Sequence, residues 1–327
     1  MDDINVLFND DIPFEQKALQ VFQFQSRHVA VYRQFLAYQK INSGQITVLK
    51  DIPFLPVELF KSQKIIADKR EAAIVFHSSG TTSQQPSKHF IHDAKHYEQS
   101  IFSSFYCFFG SPKTYCILGL LPGYLARKNA SLVYMLNYLM KTSGHPLNDF
   151  FSKNYQTLAN RIEQLEKTKQ PTLLFAVTHA ISAFAKAYPK PLKYVKIIET
   201  GGMKGIGKET TRQALHDKLK TAFRTENIYS EYGMTEMLSQ AYCLDGEQFE
   251  PSPTMHVMAR DVYDPGSWLE TGKAGLLCII DLANVYSCSF LATQDIGTVA
   301  PDGRFTILGR ADNADIRGCN LMQMDME

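Results

Sequence analysis

Four segments carry side chains suited to holding a nucleotide. The first is His77-Ser78-Ser79-Gly80-Thr81-Thr82-Ser83-Gln84-Gln85-Pro86-Ser87-Lys88, directly after an apolar run. Ser78, Ser79, Thr81 and Thr82 offer small hydroxyl donors, Gly80 frees the backbone, and Lys88 adds a point positive charge. A polyphosphate needs these features, although an ordinary polar surface loop has the same composition. The second segment is Thr200-Gly201-Gly202-Met203-Lys204, where adjacent glycines let a flat ligand or a phosphate lie against the main chain. Its continuation approaches the phosphate loop of nucleoside triphosphatases, but Glu209 stands where that motif needs a Ser or Thr hydroxyl, and a Gly-rich connection accounts for it as well.

The third segment, Tyr229-Ser230-Glu231-Tyr232-Gly233-Met234-Thr235-Glu236, combines an aromatic plate, a bend glycine, a hydroxyl and a carboxylate. Such a set can stack on a base, bond a phosphate and hold a hard cation through oxygen; it also fits an ordinary turn before a helix. The fourth comprises Thr293-Gln294-Asp295-Ile296-Gly297 and Leu308-Gly309-Arg310. There Asp295 can take both hydroxyls of a ribose and Arg310 can approach the sugar or a phosphate, although either is equally a solvated hairpin charge. His89, His92 and His96 have the spacing of one helix face and of metal ligands, but no thiol or paired carboxylate completes a site. His179 is placed either in an acyl pocket or at a helix start.

These segments need a scaffold, and the pattern predicts one. Apolar runs at 72–76, 115–118, 172–177, 194–198 and 227–229 read as strands, alternating with helical patterns at 97–106, 155–166, 180–187 and 209–222. Such alternation implies a largely parallel sheet covered by helices on both faces, with ligands gathered at the carboxyl ends of the strands. Shorter strands at 256–263, 276–280, 287–291 and 304–308, divided by turn signals such as Asp264-Pro265-Gly266 and Asp302-Gly303, predict a smaller β-rich lobe. The expected division is a helical N-terminal segment over 1–70, an α/β nucleotide- and acyl-binding core over 71–250, and the β-rich lobe with its tail over 251–327.

Composition removes several alternatives. Lys plus Arg number 34 against 33 Asp plus Glu, so no overall basic field gathers nucleic acid or anionic lipid. The acidic start Met1-Asp2-Asp3 is not a secretory signal, and the apolar runs 116–121 and 132–140 are too short to span a bilayer, so a cytoplasmic protein is expected. Six cysteines without a Cys-x-x-Cys pair suggest free thiols.

In this order and spacing the four segments resemble the adenylate-forming superfamily, whose members make acyl-AMP from a carboxylate and ATP, and within it the LuxE-type acyl-protein synthetases. Arg317-Gly318-Cys319-Asn320-Leu321 extends the likeness, which runs from about Ile52 onward. The resemblance implies the fold of the large domain of those enzymes, with ATP and Mg2+ as cofactors. It places Ser79, Gly80, Thr81, Thr82 and Lys88, with Ser78 at their head, around the β- and γ-phosphates, and Gly201, Gly202 and Met203 beside the adenine. Tyr232 and Gly233 would adjoin the adenine, Tyr232 by stacking. Thr235 would meet the α-phosphate, Glu236 would hold the metal, and Asp295 and Arg310 would take the ribose side.

Two departures accompany the likeness. Ser83 replaces a glycine usual after the two threonines, and the chain stops at Glu327, so the mobile C-terminal domain that bears a catalytic lysine in larger ligases is expected to be reduced or absent. The family also implies that Cys319 accepts the acyl group for hand-over to an acyl reductase. Alternatives are an acyl- or aryl-CoA or carrier-protein ligase, and a non-catalytic nucleotide- or acyl-binding subunit.

Overall fold

The computed structural model describes residues 4–78, 85–127, 129–201, 211–264 and 266–311. Helices α1 (Phe14–His28) and α2 (Ala30–Tyr38) lead into a two-residue strand, β1 (Leu55–Pro56), and a short helix, α3 (Leu59–Ser62). Ala18, Val21, Phe22 and Gln25 lie on the buried face of α1, the i, i+3, i+4, i+7 stripe of a surface helix. That stripe packs on the β-rich lobe: Phe22 meets Phe290 edge to face with ring centres 6.0 Å apart, and β1 pairs with a strand of the lobe. The helical prologue and the lobe therefore share one apolar core.

Strands β2 (Ile74–His77) and β3 (Lys88–Ile91) form an antiparallel pair standing apart from both larger sheets. The expected strand at 72–76 is thus real but does not join the parallel sheet. Parallel pairing needs a crossover of roughly a dozen residues or more, and β3 begins at Lys88, soon after β2 ends at His77.

The main sheet follows in βα alternation. Helix α4 (Ala94–Phe109), capped by the Asp93 carboxylate on the Lys95 N–H, leads to β4 (Cys116–Leu120), α5 (Ser131–Ser143), β5 (Asp149–Phe151) and α6 (Tyr155–Lys167). Next come β6 (Thr172–Val177), α7 (Thr178–Ala187), β7 (Val195–Thr200), α8 (Arg212–Phe223) and β8 (Ile228–Tyr232), and then β9 (Ala241–Cys243) and β10 (Glu250–Pro251). The order across the sheet is β10-β9-β8-β7-β6-β4-β5, with β5, β4, β6, β7 and β8 mutually parallel. Every residue of β4 and β6 is buried, as central strands covered on both faces must be. The apolar run 132–140 lies within helix α5, which covers one face through Met135, Leu136 and Leu139.

The lobe is antiparallel: β11 (Met255–Arg260), β12 (Gly275–Asp281) and β13 (Phe290–Gly297), with a 3-10 turn at Leu282–Asn284 and β14 (Gly309–Arg310) on β13. Two expected elements shift. The strand predicted at 287–291 runs over Phe290–Gly297, and 304–308 makes only isolated bridges through Phe305 to Phe249 and Val299. Phe305 is nevertheless fully buried, so its apolar pattern reports core packing rather than ladder pairing. Among the described residues no helix is long and apolar enough to cross a membrane.

Candidate functional site

Strands β6, β7 and β8 end side by side, with Val177 opposite Thr200 and Thr200 opposite Glu231. At the end of β7 the chain turns through Gly201, whose φ of +86° suits glycine and strains any residue with a Cβ. At the end of β8 the reason for glycine is space: a Cβ on Gly233 would lie 2.7 Å from Glu231 Oε1.

Tyr232 is the hinge of the site. Its ring is buried against Phe249 and Phe305, while its hydroxyl donates to Asp295 Oδ2 at 2.7 Å. Burial first, and then the Asp295 charge, push the phenol well above its ordinary pKa, so it stays a donor. Arg310 lies opposite Asp295 in the β13–β14 ladder. Its Nε is 4.0 Å from Asp295 Oδ1 and its Nη2 donates to Gln294 Oε1 at 2.9 Å. Tyr232, Asp295 and Arg310, from two predicted segments, thus meet at the seam between sheet and lobe.

Residues 233–240 follow without helix or strand, so their buried backbone groups need side-chain partners. The surroundings supply them. Asp281, fully buried, accepts from the N–H groups of Leu238 at 2.7 Å and Ser239 at 3.2 Å and from Ser239 Oγ at 2.6 Å. Ser100 Oγ and Gln240 Nε2 donate to the Leu238 carbonyl. Asn284 Nδ2 donates to the carbonyls of Glu236 at 2.8 Å and Cys288 at 2.9 Å. The Thr235 carbonyl faces His89 Nδ1 at 2.8 Å, and His89 Nε2 lies 2.9 Å from Asn284 Oδ1.

His89 is fully buried on β3, next to exposed Lys88, and burial pushes its pKa down to about 4. The three histidines do not form a metal set. His89 is on a strand, His92 follows that strand with Nδ1 2.8 Å from the Glu71 carbonyl, and His96 is in α4 bonded to the Ala283 carbonyl. The shared helix face expected from their spacing is absent because β3 interrupts the helical period. No cluster of three metal-ligating side chains occurs among the described residues. His179 sits in the first turn of α7 and is exposed.

Ser78 closes the β2–β3 pair: its N–H donates to the Ser87 carbonyl at 3.0 Å and its Oγ accepts from the Ser87 N–H at 2.9 Å. Ser79, Gly80, Thr81, Thr82, Gly202, Met203 and Cys319 lie outside the described residues. Sequence reading missed two buried acids at the strand ends. Glu231 accepts from Thr200 Oγ1, and Glu199 accepts from Thr178 Oγ1 and from Ser230 Oγ. Burial pushes Glu231 up to about 7 and also raises Glu199. An acidic residue just past each predicted strand end, beside Thr200 in one and Ser230 in the other, was the available signal.

A family model described as acyl-protein synthetase, LuxE, matches residues 9–326. No curated protein matches the chain by sequence. Among solved structures, ATP-bound MatB from Rhodopseudomonas palustris superposes with a TM-score of 0.54 at 16% identity, over 72% of this chain and 47% of that one. A long-chain-fatty-acid-CoA ligase, FadD1, from Archaeoglobus fulgidus gives 0.54 at 17% identity, over 74% and 52%. The luciferase-like enzyme of the mealworm Zophobas morio gives 0.52 at 19% identity, over 74% and 58%. These likenesses establish a shared fold, that of the large domain of adenylate-forming enzymes, and the chain aligns with about half the length of such proteins.

Proposed function

The chain belongs to the LuxE acyl-protein synthetase family, and on that premise we propose that it activates a fatty or related carboxylic acid with ATP and transfers the acyl group to a cysteine thiol. The observation that carries this reading is the Tyr232–Asp295 contact, which brings the aromatic-glycine segment and the acidic β13 segment together across 63 positions of the chain. Adenine would lie by Tyr232 and the Gly201 turn, with Gly202 and Met203 following in sequence. The ribose would face Asp295 and Arg310, and the phosphates would face Thr235, Lys88 and the sequence Ser79-Gly80-Thr81-Thr82. The ATP-bound MatB structure supports a nucleotide in this fold.

Glu236 and Thr235 present hard oxygen donors, and magnesium characteristically takes one or two carboxylates together with substrate phosphates. The residues present therefore fit that ion, which when bound would neutralise phosphate charge. In the first step a carboxylate oxygen of the acid attacks the α-phosphorus, the α–β phosphoanhydride bond breaks, and pyrophosphate leaves with the bonding pair. Lys88 and the backbone and hydroxyl donors stabilise the charge that develops, and positioning does the rest. In the second step a thiolate attacks the acyl carbonyl carbon, the acyl–phosphate bond breaks, and AMP leaves.

The acceptor we assign is Cys319, with Arg317 favouring its thiolate. Support comes from the other thiols: Cys116, Cys243, Cys278 and Cys288 are buried and burial raises their pKa, those of Cys116, Cys278 and Cys288 to about 12, which leaves Cys107, exposed on α4, as the accessible thiol among the described residues. An acyl reductase is the partner to which the loaded thioester would pass. Acid-dependent ATP–pyrophosphate exchange and intact-protein mass test both halves of the reading. Cys319→Ala should keep the exchange and lose a hydroxylamine-sensitive acyl adduct. An adduct that persists on this variant refutes the acceptor, and no exchange with any acid of a chain-length panel refutes the activation. The fatty-acid-CoA ligase among the structural neighbours favours one second reading, transfer to coenzyme A, which thioester formation by Cys319→Ala with added coenzyme A would reveal.

A further inference from the structure

We propose that His89 and Asn284 are positioning residues for adenylation, fixing the backbone of Thr235 and Glu236 against the strand that bears Lys88. This rests on the proposed function and goes beyond it, because neither residue belongs to the segments expected to touch ATP. The geometry is a continuous chain of side-chain contacts. Both ring nitrogens of His89 face oxygens, Nδ1 the Thr235 carbonyl at 2.8 Å and Nε2 Asn284 Oδ1 at 2.9 Å, and the neutral ring that burial favours donates its one N–H to one or the other, while Asn284 Nδ2 donates to the Glu236 and Cys288 carbonyls at 2.8 and 2.9 Å. Both side chains are buried, at 0% and 1% exposure, and the imidazole edge meets the Phe60 ring with centres 5.5 Å apart.

Three separate elements meet at these two side chains: β3 beside Lys88, the irregular 233–240 strap, and the 3-10 turn at Leu282–Asn284 in the lobe. The amide orientation of Asn284 follows from its partners, because Nδ2 faces two carbonyls and only its oxygen is left for His89. The strap has no helical or ladder bonds at Thr235 and Glu236; one turn bond, from the Met237 N–H to the Met234 carbonyl at 3.1 Å, spans them without engaging their own carbonyls, which face His89 Nδ1 and Asn284 Nδ2. A Thr235 hydroxyl and a Glu236 carboxylate displaced by an ångström would still bind substrates but would meet the α-phosphate badly in the transition state. Such misplacement characteristically lowers turnover rather than affinity.

The test compares His89→Leu, His89→Gln and Asn284→Ser with His96→Gln in the full chain, each with its melting temperature and its exchange kinetics. His96 is an equally buried histidine on a carbonyl of the same turn, Ala283, but has no bond to the strap among the described contacts. Expected are a kcat lowered about ten- to hundredfold in His89→Leu and Asn284→Ser with the acid KM within about twofold, partial recovery in His89→Gln, which retains an N–H donor, and near wild-type kcat in His96→Gln. If His89→Leu fails to fold, the comparison of His89→Gln and Asn284→Ser with His96→Gln decides. A kcat in these variants no lower than in His96→Gln at a similar melting temperature overturns the positioning role while the activation reading stands. Absence of exchange in the wild-type protein overturns both.

Discussion

Tyr232 donates its hydroxyl to Asp295 at 2.7 Å, and this bond ties the carboxyl end of the parallel strand β8 to the antiparallel strand β13. The tyrosine serves both sides: its ring belongs to the lobe's core with Phe249 and Phe305, and its oxygen fixes one oxygen of the acid expected at the ribose.

Tyr232→Phe should keep the ring packing and remove this bond. Asp295 retains 18% side-chain exposure, so water recovers part of the loss, and destabilisation of about 1–2 kcal/mol is expected. Urea unfolding checks this; an unchanged midpoint would show that the bond contributes nothing net.

Asp295→Ala should raise the KM for ATP by about tenfold, the scale of one lost charged hydrogen-bonding group, and leave the KM for the acid nearly unchanged. The steady-state exchange assay with each substrate varied in turn reports both constants. An equal rise in both would argue that Asp295 organises the site as a whole and does not contact the nucleotide.

Gly233→Ala should cost about 1–3 kcal/mol, because the new methyl would meet Glu231 Oε1 at 2.7 Å and Glu231 is held in place by Thr200. Thermal unfolding of Gly233→Ala and of the double variant with Glu231→Ala separates the cause: the penalty should shrink when the obstructing carboxylate is gone. The same penalty in both backgrounds would locate the constraint in the backbone.

Glu231 gives a pH signature. Its folded pKa of about 7 lies above the ordinary 4.5, chiefly through burial. Below pH 4.5 folded and unfolded states both hold the proton and no penalty applies. As pH rises from 4.5 to 7 the unfolded chain releases its proton first, so stability falls by on the order of 3 kcal/mol and then levels off. His89 and His216, held near 4 by burial, act with the opposite sign, so the clean measurement is a difference. Glu231→Gln should gain stability on wild type between pH 5 and 8 in urea titrations, and parallel curves would disprove the assignment.

Much of this architecture is legible along the chain. The fully buried runs of β4 and β6 read as sheet interior, and the Asp93, Asn154 and Thr211 caps at the starts of α4, α6 and α8 are local events governed by neighbouring residues. Less legible were β2, whose apolar character is the same whether it pairs in parallel or turns back on β3, and the 304–308 run, where Phe305 is buried without a ladder. In both cases the partner lies elsewhere in the chain, and periodicity records only that one face is covered.

The chemistry on offer is local, because a run of hydroxyls, paired glycines, an aromatic-glycine pair and separated acids keep their donors and charges in any fold. Which of them touch is settled by long-range packing. Tyr232 meets Asp295 across 63 positions and His89 reaches Asn284 across 195, and contacts at such separations depend on the packing of two sheets rather than on local spacing. For the same reason Asn284, with no motif around it, becomes a hub once the burial of unpaired carbonyls requires a donor at that point.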